Sequence, residues 1–286
     1  MRIPYENFPG GNQPLHFAHA NGYPPVAYRF LLENLSLHYH VIAMCARPLW
    51  PDAPPKDLQD WRPLAKDLAD FLEEHHLKNL IGVGHSMGAT TTLRLALSQP
   101  DRFRSLVLID PVLFPPWITI QWDLIYRLGL GYRLHPLVGK AKKRRSKFQS
   151  REAMFDNYRT KAVFRHMNDD NLHAYVDALA CPAPEGGFEL SYKSNWEARI
   201  YVTGVRADME IWRALSNHKS PLLIIRGTET DTFWEQTASL VKRRLPHAII
   251  CSIPNATHLV PLEHPTKVYE IIMGFLDQNS KKIHHS

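Results

Sequence analysis

Cysteine is scarce in this sequence. Its 286 residues include only three cysteines, Cys45, Cys181 and Cys251, and they lie far apart. An odd number of isolated cysteines predicts neither a disulfide framework nor a cysteine-ligated metal site. The chain also lacks any run of about 18 apolar residues, as a membrane-spanning helix would need, and residues 1–7 lack the apolar segment of a secretory signal. We therefore expect a cytoplasmic location.

Internal repeats and low-complexity tracts are absent too. Short apolar runs alternate along the chain with segments in which apolar residues have the spacing of a helix. The predicted strands cover residues 15–18, 39–44, 79–83, 105–109, 221–225 and 248–252. The predicted helices cover residues 26–37, 60–76, 86–97, 233–245 and 266–279. This alternation is typical of the α/β class, with a mostly parallel sheet and helices on both of its faces.

The alternation stops after Asp110 and resumes near residue 221. Between them, helical patterns, tryptophans and charges replace buried strands. We predict that residues 113–218 form a mainly helical lid, inserted into one core built from residues 1–112 and 219–286. Trp117 and Trp122 of this lid are candidates for substrate contact, although the same rings would also suit the lid's own core.

The segment Gly84-His85-Ser86-Met87-Gly88 follows a predicted buried strand directly and opens a predicted helix. Small residues two positions before and after Ser86 allow a tight strand-to-helix turn that lifts its hydroxyl above the sheet edge. The free N–H groups at the start of the helix then point toward a nearby oxyanion. In this context the pattern resembles the nucleophile elbow of the α/β-hydrolase superfamily, and the resemblance implies that Ser86 is a nucleophile.

A serine hydroxyl needs an adjacent general base. In the superfamily this base is a late histidine, on the loop after the last strand. The loop at residues 255–265 resembles the family's G-H-x-x-x-x-E-x-P pattern, with Thr257 in place of glycine. The resemblance therefore implies that His258 is the base.

The third catalytic residue is an acid that orients the histidine. Residues 226–231 resemble the family's R-G-x-x-S-D pattern after the lid, which implies that Asp231 is the acid. Asp110 is an alternative, because some family members carry the acid after the preceding strand. Glu229, two residues before Asp231, is a second alternative.

The oxyanion that forms during acyl transfer needs preorganised N–H donors. The family resemblance implies the backbone N–H of Met87 as one donor. The loop at residues 19–25 resembles the family's H-G-x-P loop, which implies the N–H of Tyr23 as the other. Asn21 departs from that pattern, and its side chain would either shape the loop or touch the substrate. This machinery needs no metal and no cofactor.

The resemblance implies hydrolysis of carboxylic esters through an acyl-enzyme intermediate, with a small-molecule ester or acyl compound as substrate. A C–C bond hydrolase, or a thioesterase or acyltransferase, would use the same residues, so these alternatives stay open. A non-catalytic member that binds a small molecule is the alternative from another class. Haloalkane dehalogenases and epoxide hydrolases are disfavoured, because they need aspartate at the position of Ser86.

Positive charge is concentrated between Lys140 and Lys147, in a chain whose formal net charge is +6. Such a cluster suits weak contact with an anionic membrane surface. A solvated helix or loop surface is the simpler interpretation. No nucleic-acid-binding motif accompanies the cluster, and we expect no nucleic-acid partner.

Overall fold

The computed structural model describes residues 2–283, and ten strands form within that range. In chain order they are β1 (Tyr5–Phe8), β2 (Pro14–Ala18), β3 (His40–Met44), β4 (Leu80–His85), β5 (Phe103–Ile109), β6 (Lys147–Phe148), β7 (Ala180–Pro182), β8 (Phe188–Leu190), β9 (Leu222–Gly227) and β10 (Ile249–Ile253). Seven of them form one sheet in the order β1-β3-β2-β4-β5-β9-β10. Its strands run parallel except β1, which is antiparallel to β3.

The helices of the core cover both faces of this sheet. In chain order, the helices before the insertion are α1 (Arg29–Ser36), α2 (Arg62–Glu74) and α3 (Met87–Ser98). Those of the insertion are α4 (Pro116–Arg127), α5 (Gly131–Leu134), α6 (Val138–Lys142), α7 (Arg151–Arg159), α8 (Asp169–Leu179), α9 (Ser194–Thr203) and α10 (Met209–Ala214). The last three helices are α11 (Glu235–Arg244), α12 (Val260–Glu263) and α13 (Pro265–Ile283).

The sheet strands send alternate side chains into two separate hydrophobic cores, as the period of two along a strand requires. In β3, Val41 and Ala43 join one core, whereas Ile42 and Met44 join the other. The first core is closed by apolar residues of α1, α13 and the insertion, and the second by those of α2, α3 and α11. Both faces are therefore buried, which explains why the central strands are almost continuously apolar.

The α/β fold class is confirmed. The antiparallel edge strand β1 was not predicted, because its four residues have no buried face and carry no apolar alternation. The segment between β5 and β9 holds seven α-helices, two short 3₁₀ helices and the small antiparallel sheet β6-β8-β7. We call this segment the cap. In the described residues, no helix has the length and apolarity needed to cross a membrane.

Candidate active site

Ser86 stands between the end of β4 and the start of α3, in a backbone conformation that non-glycine residues rarely adopt. Its φ is 56° and its ψ is −121°. The Ser86 N–H donates a 2.9 Å hydrogen bond to the Ile109 carbonyl on β5, which ties the turn to the neighbouring strand. Strain of this kind persists only where the surrounding structure enforces it, and it is concentrated at functional sites.

The two glycines of the motif are required by close backbone contacts. A Cβ atom on Gly84 would lie 2.7 Å from the Ala89 nitrogen, and one on Gly88 would lie 2.2 Å from the Ala18 carbonyl oxygen. These obstacles are backbone atoms, so they cannot rotate away. The glycines therefore let β2, β4 and α3 approach closely enough to form the turn at Ser86.

The Gly88→Ala variant is expected to lower the free energy of unfolding by about 3 kcal/mol, because the added methyl group overpacks a backbone contact. Urea unfolding of purified protein measures this change. Gly274→Ala is the matched control, since a Cβ there meets no atom within 4 Å in the middle of α13. This control should gain about 1 kcal/mol from its better helix propensity. Equal stability of the two variants would contradict the close-contact explanation.

His258 contacts Ser86 directly. Its Nε2 lies 2.8 Å from Ser86 Oγ, and its Nδ1 lies 2.9 Å from Thr232 Oγ1. The Thr232 hydroxyl donates its one proton to Asp110 Oδ1, 2.8 Å away, so it accepts a hydrogen bond from Nδ1–H of His258. Nε2 is consequently the unprotonated nitrogen, which is the tautomer that can accept the proton of Ser86.

The carboxylate of Asp110 lies next to the His258 ring, on the side away from Ser86. It follows β5, is fully buried, and has an oxygen 3.6 Å from His258 Nδ1. Besides the bond from Thr232, it accepts a 2.6 Å hydrogen bond from the Thr230 hydroxyl and a 3.1 Å bond from the Gly227 N–H. Asp110 is therefore held rigidly at the ends of β5 and β9.

The structure places Asp110, and not the predicted Asp231, behind His258. Asp231 is exposed on the cavity wall, and its carboxylate forms no hydrogen bond to His258 among the described residues. Glu229, the other alternative, is paired with Arg165 at the rim of the cavity. Thr230 and Thr232, on either side of Asp231 in the R-G-x-x-S-D match, both donate hydrogen bonds to Asp110.

The pKa of His258 lies above its ordinary value of 6.5. Burial is the largest single influence and lowers this pKa, but the Asp110 carboxylate and the charges of Asp231 and Glu263 together raise it more. A positive imidazolium is thus stabilised at this position. That is the charge state which a general base reaches after it takes a proton from serine.

Of the two predicted oxyanion donors, Met87 is the better placed. Its N–H belongs to the first turn of α3, where an amide has no intrahelical acceptor, and the residue lines the cavity beside Ser86. The Tyr23 N–H instead donates a 3.2 Å hydrogen bond to the Ala20 carbonyl, which closes a turn. Tyr23 can therefore serve an oxyanion only by sharing or replacing this long bond.

A buried chain of hydrogen bonds joins the loop of Tyr23 to the loop of His258. The Ala20 N–H donates to the Tyr28 hydroxyl (3.2 Å), which donates to His85 Nδ1 (2.7 Å), and His85 Nε2 donates to the His258 carbonyl (2.8 Å). Burial holds the pKa of His85 well below 6.5, so this histidine stays neutral. Sequence reasoning missed this link, since nothing in the pattern pairs Tyr28 with His85.

His19 braces the same loop from its other side. Its Nε2 accepts a 2.9 Å hydrogen bond from the Ala46 N–H, and its Nδ1 donates to the Ala20 carbonyl at 2.8 Å. Burial lowers the pKa of His19 to about 4, which keeps the ring neutral, and the bond from the Ala46 N–H fixes the tautomer. His19 is therefore packed and hydrogen-bonded through both ring nitrogens.

A cavity of about 560 Å³ lies over Ser86 and His258, between the core and the cap. Its volume is in the range of small-molecule sites. The cap contributes both polar and apolar side chains. The aromatic side chains that line the cavity are Tyr23, Trp61, Phe114, His135 and Tyr201.

Three residues are candidates for substrate contact from the sequence, and in the structure their side chains are hydrogen-bonded within the protein or exposed to solvent. Asn21 lines the cavity, but its amide donates to the Glu197 carbonyl (3.2 Å) and accepts from the Tyr192 hydroxyl (2.8 Å), so it fastens the cap to the core. Trp122 donates its indole N–H to the Val202 carbonyl inside the cap. Trp117 is 55% exposed on the outer face of α4. Neither tryptophan lines the cavity.

Comparisons with known proteins agree with this architecture. The chain matches the model of the alpha/beta hydrolase family over residues 17–271. Ethanol acetyltransferase 1 of Wickerhamomyces ciferrii is 25% identical over 231 residues, which cover 76% of this chain and 56% of that protein. This chain thus spans little more than half the length of that relative. Uncharacterized hydrolase YugF of Bacillus subtilis is 23% identical over 278 residues, which cover 96% of this chain and 94% of YugF.

Solved structures resemble the fold as well. The crystal structure of E-2-(acetamidomethylene)succinate hydrolase superposes with a TM-score of 0.76 and 22% sequence identity, covering 96% of this chain and 95% of that one. A thioesterase domain from the curacin biosynthetic pathway has a TM-score of 0.71 and 12% identity, with 94% of each chain covered. At these identities the likeness shows the fold alone. The family match covers most of the sequence, and the chain therefore belongs to the alpha/beta hydrolase family.

Proposed function

We propose that this protein is a serine hydrolase that cleaves carboxylic esters through an acyl-enzyme intermediate. The observation that carries the proposal is the 2.8 Å contact between Ser86 Oγ and His258 Nε2, at a strained turn and with Asp110 behind the histidine. A partly buried, oriented base of this kind is what converts a serine hydroxyl into a nucleophile at neutral pH.

The proposed reaction has two halves. Ser86 Oγ attacks the ester carbonyl while His258 Nε2 takes its proton, and the Met87 N–H binds the oxyanion. The imidazolium, stabilised by Asp110 through Thr232, then protonates the leaving alkoxide as the C–O bond of the ester breaks. In the second half, His258 removes a proton from water, which attacks the acyl group. The acid leaves, and the proton returns to Ser86.

The lining of the cavity favours an ester substrate with at least one apolar group. Between the aromatic rings, its wall is formed by apolar side chains such as Val112, Ile200 and Leu259. The charged Arg165 lines the same cavity, but it is paired with Glu229 and is not left free for a substrate carboxylate. An uncharged acyl group therefore fits this wall better than an acidic one.

A fluorophosphonate probe tests the proposal directly, because it phosphonylates only an activated serine. We expect labelling of the wild-type protein, with the modified peptide containing Ser86. His258→Ala should reduce the labelling rate by about 10²-fold or more, since the base then no longer accepts the proton. Labelling at another serine, or equal rates in both proteins, would contradict the mechanism. An absence of labelling would favour a non-catalytic ligand-binding protein.

Acyl transfer to an alcohol is the second candidate. It is favoured by the similarity to ethanol acetyltransferases from several yeasts, including Wickerhamomyces anomalus and Hanseniaspora uvarum. Both activities share one acyl-enzyme and differ in whether water or an alcohol attacks it. Turnover of a p-nitrophenyl ester with and without ethanol separates them. Product that is mainly ethyl ester would support transfer, and product that is mainly free acid would support hydrolysis.

A further inference from the structure

The outer face of the cap carries an unusual concentration of exposed apolar side chains. Of the ten large hydrophobic side chains that are exposed in the described residues, seven lie between positions 117 and 134. We call these seven the α4–α5 patch. Its members are Trp117, Ile120, Leu124, Leu128, Leu130, Tyr132 and Leu134.

Helix α4 turns an apolar stripe toward solvent. Trp117, Ile120, Leu124 and Leu128 follow the spacing of one helix face, and each is more than half exposed. The opposite face carries the polar contacts to the rest of the protein: Asp123 pairs with Arg206, and the Tyr126 hydroxyl donates to Gln59. A contiguous exposed apolar stripe marks an interaction surface.

Strong positive charge surrounds this patch. Residues 117–147 contain eight basic residues and one acidic residue, Asp123, so their net charge of +7 exceeds the +6 of the whole chain. Lys142 Nζ lies 4.8 Å from the ring centre of Tyr132, which places the basic cluster against the patch. Arg144 is ion-paired with Glu197 inside the cap and is unavailable for binding, whereas Lys147 is paired with Glu185 on the surface and stays mostly exposed.

The combination of exposed apolar side chains with nearby lysine and arginine can be compared with three possible binding partners: a second copy of the chain, a nucleic acid and an anionic membrane. A second copy of this chain would bring two strongly positive patches together, so repulsion opposes a symmetric dimer at this face. A nucleic acid would match the charge but would leave the leucines and isoleucine without an apolar partner. An anionic membrane surface satisfies both, because acyl chains receive the apolar stripe and phosphate headgroups receive the cations.

We propose that the α4–α5 patch, together with the exposed lysines of residues 140–147, docks this protein on anionic lipid surfaces. In the sequence, the patch lies between two short segments that line the cavity. Val112 and Phe114, just before α4, line the cavity, and so do His135 and Leu137, just after α5. Docking would hold this wall of the cavity against the membrane. The proposal concerns binding alone and does not depend on which bond the enzyme cleaves.

Vesicle sedimentation tests the docking. The full chain carrying Ser86→Ala is used, so that binding is measured without turnover. We expect sedimentation with vesicles of phosphatidylcholine and phosphatidylserine in a two-to-one mixture, weakening as salt is raised. Vesicles of phosphatidylcholine alone should bind about tenfold less or weaker still, because each lysine near an anionic surface contributes to partitioning.

Matched variants test the apolar part and the basic part of the surface separately. Leu124→Ser with Leu128→Ser should weaken binding about tenfold by removing inserted apolar area. Its control is Leu37→Ser with Ile249→Ser, two exposed apolar residues outside the patch. Lys140→Gln, Lys142→Gln and Lys143→Gln together should cause a similar loss. Their control removes the same charge from exposed positions elsewhere, through Lys78→Gln, Lys219→Gln and Arg243→Gln.

Three results would overturn the docking proposal. The first is equal, negligible sedimentation with both kinds of vesicle. The second is an equal loss of binding in the patch variants and their controls, which would indicate diffuse attraction by net charge. The third is a dimer, seen by analytical ultracentrifugation, that dissociates in the leucine double variant without any vesicle binding. That result would make the patch a self-association surface.

Discussion

Replacing Ser86 with alanine is expected to lower kcat/KM for a short p-nitrophenyl ester by about 10⁵-fold or more. The loss is large because no acyl-enzyme can form, and His258 is left with no hydroxyl to deprotonate. The residual rate should come from the Met87 N–H and the cavity, which would still bind the substrate and polarise its carbonyl. Release of p-nitrophenolate, followed by absorbance, measures both rates.

Ser98→Ala is the matched control for this experiment. Ser98 ends the same helix that begins after Ser86, and its hydroxyl donates only to the Leu95 carbonyl. Its loss should leave kcat/KM within about threefold of wild type, because surface substitutions away from a site have small effects. Activity of Ser86→Ala above about one per cent of wild type would show that another group attacks the substrate.

Ser86 and His258 could be found from sequence because each lies in a local pattern. The turn at Ser86 needs small residues within two positions, and Gly84 and Gly88 show why through the backbone atoms they approach. The short, almost continuous apolar runs likewise predicted the central strands, since both faces of the sheet are buried. These features depend on neighbours in the chain, and the sequence displays them directly.

The acid depends on distant parts of the chain. Asp110 and Asp231 both follow strands that end at the same edge of the sheet, because β5 and β9 are parallel neighbours. Sequence alone therefore allows either carboxylate near His258. The hydroxyls of Thr230 and Thr232 decide between them by binding Asp110. Their choice of partner depends on packing across 120 residues or more of sequence, which no local motif encodes.

The side-chain orientations in the cap were likewise beyond what the sequence could predict. The sequence predicts a mainly helical lid but cannot say which side of a given helix faces the protein. In the structure, Trp122 faces inward and Trp117 outward, and neither reaches the cavity. Asn21 gives the reverse case. It lines the cavity, yet its amide is hydrogen-bonded to the cap through residues about 170 positions away.

Exchange of Asp110 for asparagine is expected to lower kcat/KM by about 10³–10⁴-fold, whereas Asp231→Asn should lower it less than tenfold. Asp110 fixes the His258 tautomer through Thr232 and stabilises the imidazolium, and an amide can do neither as well. Asp231 acts on His258 only through its charge. A larger loss in Asp231→Asn than in Asp110→Asn would return the acid role to Asp231.

The pH dependence of kcat/KM gives these two variants a second, independent readout. His258 must be unprotonated to act as a base, so the rate should rise with pH through the pKa of His258. In the wild-type enzyme this midpoint should lie above 6.5, because Asp110, with the charges of Asp231 and Glu263, outweighs burial. Asp110→Asn removes the larger stabilisation of the imidazolium while burial remains, so the midpoint should fall below 6.5. Asp231→Asn should move it downward only slightly. A midpoint that stays unchanged in Asp110→Asn would mean that this carboxylate does not control the protonation of His258.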